Sequence, residues 1–304
     1  MSRRDKPVIR AQSVHHIYQN TRKGHLIFYS AKDYLVCLSI ISIAAKCWSV
    51  QILGICMMAD HLHLVVRIQD AAQLPSFVRH YASLFTKRQG NYYNRKGSLF
   101  NPYGCSPKIG HKRVRSALAY LYNNPVENHL TLKAEDYRWN FLAYADNLYP
   151  FCDKYRMDLI RWKLRKAMYD VKCLCHSRRP LDYTLLDNIT SGLTAKEIQQ
   201  LIDYTVMQYN PVDYSAAIKY YKTYADMLLA FNSTTGSEYD LKEDSFAKDH
   251  KIYLQMILFL MRQMGWPSIR DVLLLPDRTR VLLMPQLMRE TGATEKEAAK
   301  LLRL

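Results

Sequence analysis

The chain has 304 residues, 49% of them hydrophobic, which excludes an intrinsically disordered protein and leaves room for two domains with cores of their own. Its formal net charge is +16, and residues 1–150 hold 20 Lys/Arg against 8 Asp/Glu. That imbalance calls for a polyanionic partner, nucleic acid ahead of an anionic membrane surface. The opening "MSRRDKPVIR" lacks the apolar core of a secretory signal, and the longest apolar run, 35–45, is too short to span a bilayer. Seven scattered cysteines fit reduced thiols better than a disulfide framework. A soluble, cytoplasmic protein is expected.

In chain order, residues 13–19 form a short strand pattern, followed by the basic turn "NTRKGH" and by 27–29, which prolong the strand pattern. An apolar helix over 31–48 carries Asp33 in its first turn. Residues 50–57 form a second strand, joined through a tight turn at Ala59-Asp60 to a third over 61–68, an antiparallel hairpin. Residues 74–91 repeat apolar side chains at helical spacing (Phe77, Tyr81, Leu84, Phe85). "GSLFNPYGCSPKI" (97–109) reads as an extended edge strand marked by two prolines. A helix over 112–123 should end at Pro125, because the residue before proline avoids the α-region. Strand, helix, strand, strand, helix, strand is a ferredoxin-like split βαβ order, an α+β antiparallel sheet with helices on one face. The other face should be open.

The second half, 151–304, reads as a mostly helical region. Capping signals begin helices at Thr194 and Thr294, "HKIYLQMILFLMRQMGW" (250–266) is an apolar helix, and the polar stretch 232–249 looks like a linker. Residues 268–304 resemble a partial helix-turn-helix. "CLCH" (173–176) offers thiols and an imidazole, but nothing nearby completes a zinc site.

The stretch "DHLHLVV" (60–66) poses the functional question. Alternation along a strand puts His61, His63, Val65 and Arg67 on one face and Leu62, Leu64 and Val66 on the other. The two imidazoles are either ordinary hydrogen-bonded strand residues or a pair able to reach one metal ion. Further on, Tyr120 and Asn124 lie four apart and share a helix face, with Tyr122 pointing elsewhere. A tyrosine with a free pKa near ~10 serves as a nucleophile only when a metal or positive field activates it.

Three segments, "DHLHLVV" (60–66), "GSLFNPYGCSPK" (97–108) and "YLYNNPVENHL" (120–130), together resemble the HUH single-tyrosine transposases. The resemblance covers roughly residues 10–145 and is greatest to the REP-associated tyrosine transposases, within the IS200-like transposase domain. It implies that 1–150 form the transposase/nuclease domain. His61 and His63 would hold Mg²⁺ or Mn²⁺, with Asn124 as third ligand, where other branches carry the longer glutamine. Tyr120 would attack a phosphodiester of single-stranded or hairpin DNA, leaving a 5′-phosphotyrosine and a free 3′-hydroxyl. Basic candidates for holding that DNA are Arg22, Lys23, Lys87, Arg88, Arg95, Lys96, Lys108, Lys112, Arg113 and Arg115, interleaved with Tyr92, Tyr93, Phe100 and Tyr103. The bland alternative for many of these is solvated surface. The family includes dimers and monomers, so the resemblance implies a monomer or a homodimer. The competing functional reading is a catalytically silent DNA-binding or regulatory protein that retains the fold.

Overall fold

The computed structural model describes residues 8–22, 25–232, 251–265 and 268–304. Four strands form one antiparallel sheet: β1 (Ser13–Asn20), β2 (Gln51–Met58), β3 (His61–Ile68) and β4 (Gly104–Lys108), in the spatial order β2-β3-β1-β4. Helix α1 (Ala31–Cys47) joins β1 to β2, and α2 (Gln73–Tyr92) joins β3 to β4. This is the ferredoxin-like order that the sequence pattern predicts. The extended stretch 97–109 is strand only over its last part. Residues 27–29 do not prolong β1; the N–H groups of Ile27 and Phe28 donate to the Ala59 carbonyl at 2.7 and 3.1 Å and pin this segment to the β2–β3 turn.

Alternation decides what each face carries. Leu62, Leu64, Val66 and Ile68 join Ile17, Ile55 and Met57 in a core under α1 and α2. Helix α1 begins with a reciprocal Ser30–Asp33 cap. The buried Asp33 carboxylate also accepts from the hydroxyls of Tyr93 (2.9 Å) and Tyr183 (2.7 Å).

The opposite face is not open. Helix α3 (His111–Glu127) lies on it, with Val114, Ala117, Leu118, Leu121 and Tyr122 against Leu53, Cys56, Met58 and Val65. The cause lies in β2, whose "QILGICMM" is apolar on both sides and must be covered on both. Nor does α3 stop before Pro125. It runs on to Glu127, and proline costs it one hydrogen bond without ending it. The next turn is closed by Asn128, whose backbone N–H and side-chain amide both donate to the Asn124 carbonyl, at 3.1 and 2.8 Å.

The second half is helical: α4 (Trp162–His176), α5 (Tyr183–Thr190), α6 (Ala195–Tyr209), α7 (Tyr214–Ile218), α8 (Tyr224–Asn232), α9 (Lys251–Met264), α10 (Ile269–Leu273), α11 (Asp277–Thr291) and α12 (Glu295–Leu302). The capping boxes at Thr194 and Thr294 are both formed. Ala216, Ala217, Tyr221, Met227 and Phe231 of α7, α8 and the turn between them pack around α3. The outer edge of β2 is paired by the second half, since Asp213 N–H donates to the Ile52 carbonyl at 2.8 Å. The stretch read as a linker lies outside the described residues apart from Asn232. No helix among the described residues is long and apolar enough to cross a membrane.

Gly54 sets how closely α3 approaches the sheet. A Cβ there would stand 3.3 Å from Leu118 Cδ2 and from the Tyr122 hydroxyl, and 3.4 Å from Leu121 Cδ2. Gly54→Val should therefore lower the unfolding free energy by about 1–3 kcal/mol through overpacking, read from urea denaturation. A stability equal to wild type would show that α3 can shift freely.

Candidate active site

His61 and His63 are the first and third residues of β3 and stand on the face that α3 covers. Their rings are 5.0 Å apart between centroids and nearly perpendicular. The Asn124 side chain of α3 reaches both: Oδ1 is 3.2 Å from His61 Nε2, and Nδ2 is 3.4 Å from His63 Nε2. The structure thus brings together the three side chains expected to form one site. Because α3 continues through Pro125, Asn124 keeps its place one turn beyond Tyr120 on the same helix face.

Tyr120 is half-buried at the edge of the apolar stripe of α3. Its ring stands edge-on to His63 at 5.4 Å and to His16 at 5.7 Å. Tyr122, two residues on, is buried against Phe231 and the sheet at Gly54, and burial pushes its hydroxyl well above the ordinary tyrosine range. Of the two tyrosines, only Tyr120 meets the histidines.

Sequence reasoning missed His16. It lies on β1, the other neighbour of β3, and stacks on His63 at 5.2 Å with Nε2 3.1 Å from His63 Nδ1. The signal was the pair His15-His16 in a strand, whose alternation sends one imidazole to each face. His15 serves locally, its Nε2 accepting from the Arg10 N–H at 3.1 Å. Asp60 was also missed as a participant. Its Oδ1 lies 2.6 Å from His61 Nδ1, and its Oδ2 pairs with Lys300 of α12.

These contacts set the state of the imidazoles. A carboxylate only accepts, so the proton of neutral His61 sits on Nδ1 and the lone pair on Nε2. If His63 Nδ1 donates to His16 Nε2, His63 likewise turns an Nε2 lone pair toward Asn124. Burial is the main force holding His63 well below its ordinary pKa and pressing His16 down to about 3, with the Lys108 charge adding to the effect at His16. Neutral imidazoles result, the form that binds metals.

The family model for IS200-like transposases matches residues 11–124, from before β1 to Asn124 itself. Among solved structures, that of a REP-associated tyrosine transposase bound to a REP hairpin is similar to the chain at 13% identity, covering 46% of this chain and 81% of that one, with a TM-score of 0.37. No curated protein matches.

Within the matched stretch, the donor set of two imidazole nitrogens and one amide oxygen fits a divalent ion. With the His61 proton on Nδ1, His61 Nε2 and Asn124 Oδ1, 3.2 Å apart, would both be acceptors, an arrangement that a cation beside them satisfies. The spacing suits adjacent ligands around an ion with bonds of about 2.1–2.3 Å. Among the described residues no group of three or more His, Cys, Asp or Glu side chains is placed to share an ion.

The basic candidates divide by location. Lys108 of β4 and Lys112, Arg113 and Arg115 in the first turns of α3 stand on the elements that flank the site, the last three exposed. Arg22 follows Asn20, which pairs with His61 across the β1–β3 ladder. Lys87 and Arg88 lie on α2, beyond the opposite face of the sheet, and Arg88 donates to the carbonyls of Pro180 and Leu181. Arg95 donates to Gln89 and to the Gly97 carbonyl, while Lys96 is exposed in the same loop. Lys23 lies outside the described residues. Tyr92 stacks on Tyr183 at 4.2 Å, and Tyr93 and Phe100 are buried, so these three rings are used in packing.

The buried histidines predict an acid-sensitive fold. His16 and His63 titrate lower in the folded chain than the free value of 6.5, so below that pH the unfolded chain takes up protons that the folded one refuses. Stability should be full above about pH 7 and fall toward pH 5, by up to about 1.4 kcal/mol per pH unit for each such histidine. His16→Gln should flatten that fall in urea titrations without divalent metal. An equally steep fall in the variant would locate the acid sensitivity elsewhere.

Proposed function

We propose that the chain cleaves and rejoins single-stranded or hairpin DNA through Tyr120. The observation that carries this reading is the meeting of Tyr120, His61, His63 and Asn124 in one place within a transposase-family domain. The Tyr120 oxygen attacks phosphorus, the bond from phosphorus to the 3′ oxygen breaks, and the strand's 3′-hydroxyl leaves with a proton. The 5′ end stays on Tyr120 as a phosphotyrosine. One phosphate ester replaces another, so no ATP is consumed and attack by a 3′-hydroxyl reverses the step. Mg²⁺ or Mn²⁺, held by His61, His63 and Asn124, would polarise the scissile phosphate and offset charge building up on its oxygens.

The protein's own groups do the positioning. Asn124 and Tyr120 share one rigid helix face, so the nucleophile and the third ligand move together. His63, kept neutral by burial, would offer its Nε2 lone pair to the ion. Arg22, Lys108, Lys112, Arg113 and Arg115 would hold the backbone of the strand entering the site.

The test is incubation of the full chain with labelled hairpin oligonucleotides carrying single-stranded flanks, in Mn²⁺ or Mg²⁺, with covalent adducts read on denaturing gels. Wild type and Tyr122→Phe should form the adduct. Tyr120→Phe, which keeps the ring and removes only the oxygen, should bind the hairpin and form none. An adduct from Tyr120→Phe would mean the wrong tyrosine was chosen. Retained binding with no adduct from wild type would favour a catalytically silent DNA-binding protein.

A further inference from the structure

Helix α12 sends one side chain to the histidine end of the sheet. Lys300 Nζ pairs with Asp60 Oδ2 and lies 5.2 Å above the Tyr253 ring of α9, while Asp60 Oδ1 meets His61 Nδ1 at 2.6 Å. The Lys300 side chain is 8% exposed and that of Asp60 14%. An ammonium this deeply set costs several kcal/mol in lost hydration unless it is paired, and Asp60 is the carboxylate that meets it. One carboxylate therefore serves both His61 of β3 and Lys300 of α12, the latter 240 residues beyond Asp60, with one oxygen for each.

We propose that Lys300 is a positioning residue for His61, acting through Asp60, so that the last helix of the chain helps to shape the metal site at the start of β3. This rests on the metal reading above. Asp60 occupies the tight β2–β3 turn, where rotation about its own side-chain bonds would carry Oδ1 away from the ring. The bond from Lys300 holds Oδ2 and with it the plane of the carboxylate. Oδ1 then keeps the His61 proton on Nδ1 and the Nε2 lone pair toward Asn124. Outer partners that fix a ligand's tautomer in this way are worth 10–100-fold in metal affinity. A mere strut, docking α12 against the turn, would change stability and leave both the tautomer and the metal affinity alone.

The experiment uses the full chain without DNA. Histidine ring ¹⁵N shifts report the His61 tautomer in metal-free protein, and Mn²⁺ electron paramagnetic resonance reports affinity. Wild type should show His61 protonated at Nδ1 and should bind Mn²⁺ in a manner lost in His61→Ala. Lys300→Met, which keeps the aliphatic stem, should mix the tautomers and weaken Mn²⁺ binding about ten-fold or more. Lys300→Arg, which keeps the charge, should restore both. Asp60→Asn reads the same link from its other end, without touching α12, and should weaken Mn²⁺ binding at least as much; it decides the matter if Lys300→Met does not fold. Wild-type Mn²⁺ affinity in Asp60→Asn, or in a folded Lys300→Met with an unchanged tautomer, overturns the proposal. Absence of His61-dependent Mn²⁺ binding in wild type overturns the metal reading itself, a failure seen before any variant of Lys300 or Asp60 is made.

Discussion

The two-residue alternation of β3 is the constraint from which the site follows. Four apolar side chains, Leu62, Leu64, Val66 and Ile68, face the α1/α2 core, and this commits His61 and His63 to the opposite side. A one-residue slip would bury the imidazoles among the apolar side chains under α1 and α2 and turn the leucines to the α3 face, so the register is strongly specified. It is also held from both flanks. β3 is an inner strand, with His63 opposite Tyr18 of β1 and Cys56 of β2, and His61 opposite Asn20 and Met58. Histidines placed on such a strand have little freedom to drift.

What the sequence shows and what it hides can be traced residue by residue. His61, His63, Tyr120 and Asn124 were visible because their relations are local: i and i+2 on a strand, i and i+4 on a helix. His16 was not, because its place beside His63 depends on β1 pairing with β3 rather than with β2. Lys300 was further from view, since no local pattern ties a lysine of the last helix to the β2–β3 turn. The expectation of an open face failed on β2, where apolar residues on both sides already signalled a doubly covered strand. At Pro125 two local rules conflicted. The rule that a residue before proline avoids the α-region set the helix end at Asn123, whereas the pairing of Tyr120 with Asn124 needs the helix to go on. The structure keeps the helix, because the contacts of Asn124 with both histidines and with Asn128 outweigh a preference that a single residue expresses alone.

The electrostatics of the site favour chemistry over stability. Two imidazoles stacked at 5.2 Å and buried are kept neutral at the expense of acid tolerance, and the lysine charge nearby deepens the effect at His16. A core built for stability alone would place an apolar pair here, as it does one residue away on the other face of the same strand. Buried imidazoles with lowered pKa values are costly groups that mark this end of the sheet as a candidate functional site.

The second half bears on this site through packing as well as through charge. Tyr183 donates into the buried Asp33 carboxylate that caps α1, Asp213 extends hydrogen bonding along the outer edge of β2, and Phe231 closes over Tyr122 behind α3. Each of these touches an element that carries or supports a site residue: α1 spans between β1 and β2, β2 flanks the histidine strand, and α3 carries Tyr120. Asn123, adjacent to Asn124, donates its side-chain amide to the Phe231 carbonyl at 2.8 Å. The helix bearing Tyr120 is thus clamped between the sheet at Gly54 and the second half at Phe231. Its position is a property of both halves, although every side chain proposed to touch the reacting phosphate or its ion comes from the first.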